Sequence, residues 1–368
     1  MYLKPGPQQR RPGRGYSLNT PGRFSTVRVE SSETGSPPDD TGGPLPTQLL
    51  REPSRSIVST NASPDIPFDR SINPYRGCEH GCVYCYARPT HSYLDHSPAL
   101  DFETLIYYKD GAADLLRRYL ARKSYRCSPI TIGANTDPYQ PAEKKLGITR
   151  QLLEVFVETR HPVSLITKGT LIERDIDLLQ ELSAQNLNRV CISLPTLNNE
   201  LKRSLEPRVA SSQRRLKTMS RLAAAGLPVT VMVAPVIPAL TDHEIESILG
   251  RSAEAGADSA RYIMLRLPNE VSPLFQKWLV DHEPGRAAHV MSLVRGAAGG
   301  KDYDSRFGHR QRGQGPYAEM IAQRFRQGCR RYGLRTGGGA ELATHHFRAP
   351  KADARQAEFD LQPKGYQV

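Results

Sequence analysis

The chain has 368 residues, a formal net charge of +12 and an isoelectric point near 9.5. This length allows one large α/β domain or two ordinary ones. Six cysteines are too few for a disulfide scaffold, and no apolar stretch follows the charged amino terminus, which excludes a disulfide-rich secreted protein. The longest nearly apolar segment, 227–240, holds three prolines. Such a segment is unsuited to spanning a bilayer, so we expect a soluble, cytoplasmic protein.

Residues 1–60 are predicted to form a disordered, basic tail. Pro, Gly, Ser and Arg dominate this stretch, and its hydrophobic residues never recur with a helical or strand period. Residues 336–368 are predicted to form a second, flexible extension. The folded domain is therefore expected to cover residues 65–335.

Short apolar runs alternate with amphipathic patterns through this domain. The predicted strands, in chain order, cover residues 71–75, 129–134, 163–167, 189–194, 228–234 and 261–265. A helix pattern follows most of them; one helix is expected to begin at Ser211 or Ser212 and end before Gly226, and another to be capped by Asp242. The strands recur about every 30 residues, which is the size of a βα unit.

This alternation predicts a parallel sheet covered by helices. About six βα units could form either a doubly wound sheet or an incomplete (β/α) barrel, and periodicity does not choose between them. If Ser193 points away from the helices, Cys191 shares its side of the strand. Cys191 is then either a packed thiol or a hydrogen-atom donor.

Three cysteines, Cys78, Cys82 and Cys85, form the most informative motif, C-x-x-x-C-x-x-C. Three thiolates can hold three corners of an iron–sulfur cubane, whereas electron-transfer clusters normally take four cysteines. The fourth iron would then stay open to another ligand. A Cys₃His zinc site that includes His80 is the main alternative, and a disulfide is a remote one.

Polar residues follow the predicted strands at the edge where the cysteine loop also lies. In both candidate architectures, ligands bind at the carboxyl ends of the strands. Asn135, Thr136 and Asp137 follow the second strand, and Lys168 follows the third. An amine and a carboxylate at one rim are suited to a ligand that carries both kinds of charge.

The positive charge is clustered. Residues 202–221 hold seven Lys or Arg against one Glu, and residues 295–335 hold ten against three acidic residues. Such clusters are typical of surfaces that bind nucleic acid, but a solvated basic face without a partner has the same composition.

The cysteine motif, with Tyr84 before its third cysteine, resembles the signature of the radical SAM superfamily. Residues 135–138 and Thr167-Lys168 resemble the spore photoproduct lyase-like branch in particular. The resemblance covers about residues 65–335. It implies a partial (β/α)₆ barrel and a [4Fe-4S] cluster held by Cys78, Cys82 and Cys85.

The resemblance further implies a radical reaction. The cluster, reduced by a donor such as a flavodoxin or ferredoxin, would cleave S-adenosylmethionine (SAM) to a 5′-deoxyadenosyl radical. That radical would abstract hydrogen from an unidentified substrate, with nucleic acid as one candidate. The expected SAM contacts are Asn135, Thr136 and Asp137 to the amino group, Lys168 to the carboxylate, Ser193 to the carboxylate or ribose, and Tyr84 with Val233-Ala234 to adenine.

Two departures from the pattern limit the substrate. The superfamily's Gly-Gly-Glu stretch is here Ala134-Asn135-Thr136. The lyase branch also has a hydrogen-donating cysteine close to the position of Asn135, so photoproduct repair by that route is not expected. The alternative function is a zinc-stabilised, basic nucleic-acid-binding protein without catalysis.

Overall fold

The computed structural model of the protein describes residues 13–25, 45–337 and 341–350. In these ranges the strands are β1 Gln48–Glu52, β2 Val58–Thr60, β3 Arg70–Ile72, β4 Tyr75–Arg76, β5 Leu105–Lys109, β6 Ile130–Ile132, β7 Val163–Thr167, β8 Asn188–Ser193, β9 Val229–Val236, β10 Ser259–Met264 and β11 Arg335–Thr336. The helices are α1 Asp101–Thr104, α2 Ala112–Leu120, α3 Glu143–Leu146, α4 Ile148–Thr159, α5 Ile176–Ser183, α6 Asn199–Leu205, α7 Ser212–Ala224, α8 Ile245–Glu254, α9 Val271–His282, α10 Ala287–Ala297 and α11 Gly315–Arg331. Three 3₁₀ helices span Arg88–Leu94, Thr170–Asp175 and Asp242–Glu244. None of the described helices has both the length and the apolar character needed to cross a bilayer.

The main sheet has eight strands in the order β2-β3-β6-β7-β8-β9-β10-β11. All neighbouring pairs are parallel except β2 with β3, which is antiparallel. From β3 onward the strands of this sheet follow one another in chain order, and the order never reverses. Right-handed crossovers then place the connecting helices on one face of the sheet. This order excludes the doubly wound alternative, which requires a reversal.

The sheet has an apolar face and a more polar face, as the alternation in β8 predicts. Val190 and Ile192 are buried in the core between sheet and helices. Cys191 and Ser193 point to the opposite face, which we call the inner face. There the Thr230 hydroxyl lies 2.7 Å from the hydroxyl of Ser259 on the next strand. The polar inner face is thus available for a ligand.

Two of the three predicted helix boundaries are confirmed. The Ser211 side chain accepts a hydrogen bond from the backbone of Arg214 at the start of α7, and Gly226 follows the end of α7 with a φ of +79°. The predicted Asp242 cap is wrong. Asp242 lies within a 3₁₀ turn, and its carboxylate accepts a hydrogen bond from Tyr317 on α11 instead.

The strand expected at 71–75 is two strands in the structure. Asn73 and Pro74 separate β3, in the main sheet, from β4, which pairs with β5 in a three-stranded sheet of order β1-β5-β4. Proline cannot donate a backbone hydrogen bond, which favours a break at this point. The small sheet positions the residues that directly precede the cysteine loop.

The expected disordered tail also differs from the structure. Residues 45–60 contain β1 and β2, and residues 13–25, which we call the N-terminal strap, include the buried Tyr16. Single buried residues without periodicity leave no pattern in a sequence. The rest of this predicted tail, 1–12 and 26–44, lies outside the described residues.

The predicted carboxyl-terminal extension is described only in part. The Phe347 ring packs against Tyr125 and His161, with ring centroids 5.3 and 5.4 Å apart. Residues 341–350 therefore contact the body of the domain. Residues 338–340 and 351–368 lie outside the described part of the chain.

Gly133, at the end of β6, should tolerate no side chain. Its φ is +87°, and an added Cβ would lie 2.3 Å from the Ile166 carbonyl oxygen. Gly111 also has a positive φ, +65°, but open space around its Cβ position. We expect Gly133→Ala to lower the free energy of unfolding by about 2–5 kcal/mol in urea titrations, because overpacking adds to backbone strain. Gly111→Ala should cost only about 1–2 kcal/mol; equal losses would contradict this account.

Candidate active site at the cysteine loop

The cysteine loop, residues 77–86, is fixed by backbone hydrogen bonds from two sides. The Cys78 N–H donates to the Phe102 carbonyl at 2.8 Å, and the Val83 N–H donates to the Leu205 carbonyl at 3.0 Å. Cys78 and Cys82 are buried, and Cys85 is half-buried. The three thiols therefore lie on a loop whose backbone has little freedom to move.

Gln140 holds the loop from the turn after β6. Its fully buried side chain accepts a hydrogen bond from the Glu79 N–H at 2.9 Å and donates one to the Gly77 carbonyl at 3.2 Å. The sequence analysis missed this residue, since a single glutamine in a turn carries no recognisable pattern.

A fully buried ion pair lies beneath the loop. The Arg88 guanidinium is 2.6 Å from the Glu103 carboxylate, and both side chains are completely buried. Arg88 also donates to the Cys82 carbonyl at 2.9 Å and the Ala99 carbonyl at 2.8 Å. Burial raises the pKa of Glu103, although the Arg88 charge opposes that shift. This pair fixes the backbone of the middle cysteine.

The N-terminal strap covers the same loop. The Tyr16 hydroxyl donates to the Val83 carbonyl at 2.8 Å, and the Gly15 N–H donates to the Glu103 carboxylate at 2.9 Å. A Cβ on Gly15 would lie only 2.1 Å from the Gly81 carbonyl oxygen, so the two backbones are in direct contact. This segment belongs to the tail that the sequence predicts to be disordered, whereas residues 13–25 contact the cysteine loop in the structure.

Asp137 joins the ends of β6 and β7 to the cysteine loop. Its carboxylate accepts hydrogen bonds from the Thr167 hydroxyl at 2.6 Å and the Lys168 N–H at 2.7 Å, and it lies 3.3 Å from the His80 Nδ1. The Tyr139 N–H donates to it as well, at 2.9 Å. Burial raises the pKa of Asp137, but His80 and these hydrogen bonds outweigh burial and lower it to about 2. The carboxylate is therefore ionised and already has four partners.

Lys168 presents a positive charge to the thiols. Its Nζ lies 5.9 Å from the centre of the Tyr84 ring. Burial lowers the pKa of Lys168, but the charges of Cys82 and Glu206 outweigh burial and raise it. Among the described residues its ammonium group forms no ion pair within 4.0 Å. This amine is thus available to a ligand.

A second buried network fixes Tyr84. Its hydroxyl donates to the Glu206 carboxylate, which also pairs with Arg215 at 2.6 Å. Arg215 in turn donates to the Ser193 carbonyl at 2.8 Å, at the end of β8. The network connects the cysteine loop to the sheet and leaves only the ring of Tyr84 to meet a ligand.

The remaining residues predicted to contact SAM lie at the same rim but differ in burial and in hydrogen-bond partners. Asn135 is exposed, and its N–H donates to the Asn73 side chain at 2.8 Å. The Thr136 hydroxyl is buried and donates to the Tyr75 carbonyl at 2.6 Å. Ser193 is buried on the inner face. The structure therefore brings the predicted residues together, but it gives the side chains of Thr136 and Asp137 partners within the protein.

The donor set of the loop consists of three cysteine thiols, the ligand type of iron–sulfur clusters. No three His, Cys, Asp or Glu side chains in the described ranges, these thiols included, are placed to hold one metal ion, and the His80 Nδ1 lies 3.3 Å from Asp137. The three thiols nevertheless share one environment, because burial, Asp137 and the other two thiols all raise the pKa of Cys78. Three cysteines on one loop match a polynuclear iron–sulfur group.

Comparisons with known proteins identify the family. The radical SAM superfamily profile matches residues 72–251. An uncharacterised protein of Mycobacterium tuberculosis is 39% identical over 232 residues, which is 62% of this chain and 68% of that protein. An uncharacterised protein of Methanocaldococcus jannaschii is 28% identical over 182 residues, covering 49% of this chain and 64% of its own. The chain belongs to the radical SAM superfamily and is a radical SAM enzyme.

The fold resembles that of a solved radical SAM enzyme. Spore photoproduct lyase with bound AdoMet and dinucleoside spore photoproduct superposes with a TM-score of 0.59 at 14% identity, covering 78% of this chain and 81% of that one. A protein named radical SAM Nalpha-GlyT isomerase, of Pseudomonas phage M6, is 25% identical over 185 residues, covering 50% of this chain and 36% of its own. The likeness to the solved structure shows the fold alone, and neither likeness shows a substrate.

Removal of Arg88 should unfold the loop region. Arg88→Ala leaves the Glu103 carboxylate buried without a partner, and we expect the free energy of unfolding to fall by about 3–5 kcal/mol. The control is Arg117→Ala, whose pair with Glu158 is 40% and 45% exposed and should contribute at most about 1 kcal/mol. Urea titrations of both variants measure the difference. Similar losses in the two variants would show that the buried pair has no special role.

Proposed function

We propose that Cys78, Cys82 and Cys85 hold a [4Fe-4S] cluster with one iron left for the amino and carboxylate groups of SAM. The observation that supports this best is the anchored three-cysteine loop beside Lys168, whose ammonium group forms no ion pair with any described residue. The bound cluster supplies the electron that cleaves SAM to methionine and a 5′-deoxyadenosyl radical. In this proposal the six parallel strands β3 and β6–β10 form the superfamily's partial (β/α)₆ barrel.

Each charged group at the rim then helps to bind the methionine part of SAM, which carries both an amino group and a carboxylate. Lys168 binds the methionine carboxylate, because its ammonium group lies beside the thiols and forms no ion pair within 4.0 Å among the described residues. Asp137 contributes a fixed negative charge near the amine while keeping the Lys168 backbone in place. Asn135, with its side chain at the exposed rim, is the direct polar contact to the amino group.

The nucleoside part of SAM would lie along the inner face. We place the adenine near the ring of Tyr84 and the backbone of Val233-Ala234, and the ribose or carboxylate near Ser193. Buried neighbours around these residues keep water away from a reactive radical. Hydrogen abstraction would then take place on a substrate bound at the same face.

The site residues argue against one class of reaction but do not identify the substrate. Asn135 stands near the position where the lyase branch has its hydrogen-donating cysteine, which argues against photoproduct repair by that route. The name of the phage relative shows that the superfamily includes isomerases. We therefore propose hydrogen abstraction without committing to a lyase or an isomerase reaction.

Nucleic acid is a further proposed partner, and the two basic clusters differ in how free their side chains are. In the 202–221 cluster, Arg214 and Arg221 pair with Glu173, and Arg215 is buried against Glu206. The better support comes from α11, where Arg326, Arg330 and Arg331 are exposed and form no ion pairs in the described structure. An acidic electron donor, such as a flavodoxin or ferredoxin, is a further proposed partner.

Cleavage of SAM tests the proposed function. Anaerobically reconstituted protein should bind about four irons per chain and release 5′-deoxyadenosine from SAM after reduction with dithionite. Cys82→Ala should abolish the release, and Cys329→Ala, a buried thiol on α11, should leave it intact. Colourless protein with stoichiometric zinc and no 5′-deoxyadenosine would contradict the proposal.

Binding to nucleic acid should depend on salt if α11 contacts phosphates. We expect the affinity for a DNA duplex or single strand to fall steeply between low and physiological salt. Replacing Arg330 and Arg331 by Ala should lower the affinity and reduce the salt slope by about two. The control is Arg324→Ala, since Arg324 is paired with Glu246 at 2.6 Å. The absence of any binding at low salt would contradict the proposal that the protein binds nucleic acid.

A further inference from the structure

A second cation lies next to the cysteine loop and, like Lys168, has no acidic partner in the described part of the chain. Arg266 follows β10 at the carboxyl edge of the sheet, and its guanidinium lies 4.9 Å from the ring centre of Tyr86, the residue after Cys85. On its other side it lies 5.9 Å from the Tyr303 ring and donates to the Tyr303 hydroxyl at 3.2 Å. Arg266 is thus held between two aromatic rings.

The acidic residues of the neighbouring segments are engaged elsewhere. Asp302 accepts hydrogen bonds from Arg295 at 2.7 Å and from Ser272 at 2.7 Å. Asp304 pairs with Arg306 at 2.7 Å, and Glu270 pairs with the strap residue Arg23 at 2.9 Å. Within the described chain no carboxylate lies within 4.0 Å of Arg266, and its buried Nε has no hydrogen-bond partner.

The orientation of Arg266 suits an oxyanion. Contacts with two rings and a hydrogen bond to the Tyr303 hydroxyl limit the movement of the guanidinium. A positioned guanidinium recognises phosphate or carboxylate through two parallel hydrogen bonds. Its ring neighbour Tyr86 also reaches the opposite rim, where the Tyr86 hydroxyl donates to the Ala134 carbonyl. Tyr86 therefore contacts both Ala134, which follows β6, and Arg266, which follows β10.

A cleft adjoins the aromatic partner of Arg266. Its lining combines apolar residues with charged and polar ones: Pro238, Met264, Leu265, Val294, Ala297, Ala298, Gly313, Asp302, Tyr303, Asp304, His309 and Arg310. The two aspartates of this lining are the ones that pair with Arg295 and Arg306.

We propose that Arg266, held between Tyr86 and Tyr303, binds an oxyanion of the substrate and so places the substrate beside the cysteine loop. This inference rests on the proposed function and assigns the substrate a class: a small molecule or chain unit that carries a phosphate or a carboxylate. In this proposal Lys168 binds the carboxylate of SAM, and Arg266 binds the oxyanion of the substrate.

Calorimetric titration of the reconstituted, SAM-loaded protein tests the assignment. The probes are inorganic phosphate, deoxycytidine monophosphate, deoxycytidine and succinate, at low salt. We expect an oxyanion probe to bind and uncharged deoxycytidine to bind much more weakly. Tighter binding of the monophosphate or phosphate would make the anion a phosphate, and tighter binding of succinate would make it a carboxylate.

Variants of Arg266 separate recognition from structural support. Arg266→Ala should lower the affinity for the oxyanion probe about 10- to 100-fold, because a charge-assisted hydrogen bond is lost. Arg266→Lys keeps the positive charge but not the planar guanidinium, so it should lower the affinity for the probe by a smaller factor. If Arg266→Ala fails to fold, Arg266→Lys carries the test. The control is Arg312→Ala, an exposed arginine outside the site, which should bind like the unmodified protein.

Unchanged binding in Arg266→Ala, or the absence of any oxyanion binding by the unmodified protein, would overturn the assignment. Release of 5′-deoxyadenosine by the unmodified protein, measured without these probes, tests the proposed function separately. Its failure would therefore be distinguishable from a failure of the Arg266 assignment.

Discussion

The geometry of the site depends on one buried carboxylate, Asp137. Its partners come from three parts of the chain: Thr167 and Lys168 at the end of β7, Tyr139 in its own turn, and His80 within the cysteine loop. A low pKa keeps Asp137 charged, so the hydrogen bonds are charge-assisted and stronger than neutral ones. The position of the Lys168 backbone relative to the cysteine loop is therefore set by the protein before any ligand arrives, which favours an electrostatically preorganised site.

The charged residues near the site fall into two groups: those that stabilise the fold and those that are available to bind a ligand. Arg88 and Arg215 are completely buried, and each is matched by a buried glutamate. An unpaired buried charge would be costly, so such pairs are expected where charges only maintain the fold. Lys168 and Arg266 differ, because neither has an acidic partner among the described residues although both lie beside the cysteine loop. We interpret the first group as the frame of the site and the second as its anion-binding groups.

Local pattern was enough to predict the central strands and the position of the loop. Strand β7 has the predicted bounds, and β8 and β9 agree with their predictions within two residues, since buried β-branched runs identify parallel strands. Residues whose role depends on distant partners were not predictable. Gln140, Glu103 and Tyr16 are single polar or aromatic residues whose partners lie far away in the chain. Gln140 and Tyr16 contact the loop, and Glu103 contacts Arg88 and the strap, only after the chain has folded. The same reason accounts for Asp137, whose importance was predicted but whose bonds to protein donors were not.

The account requires that one iron of the cluster has no protein ligand and is free for SAM. Mössbauer spectroscopy of protein reconstituted with ⁵⁷Fe, recorded with and without SAM, measures this most directly. We predict that SAM changes the isomer shift of one of four iron sites and leaves the others unchanged. Four sites that do not respond to SAM, or a site ligated by a side chain such as His80, would contradict the account.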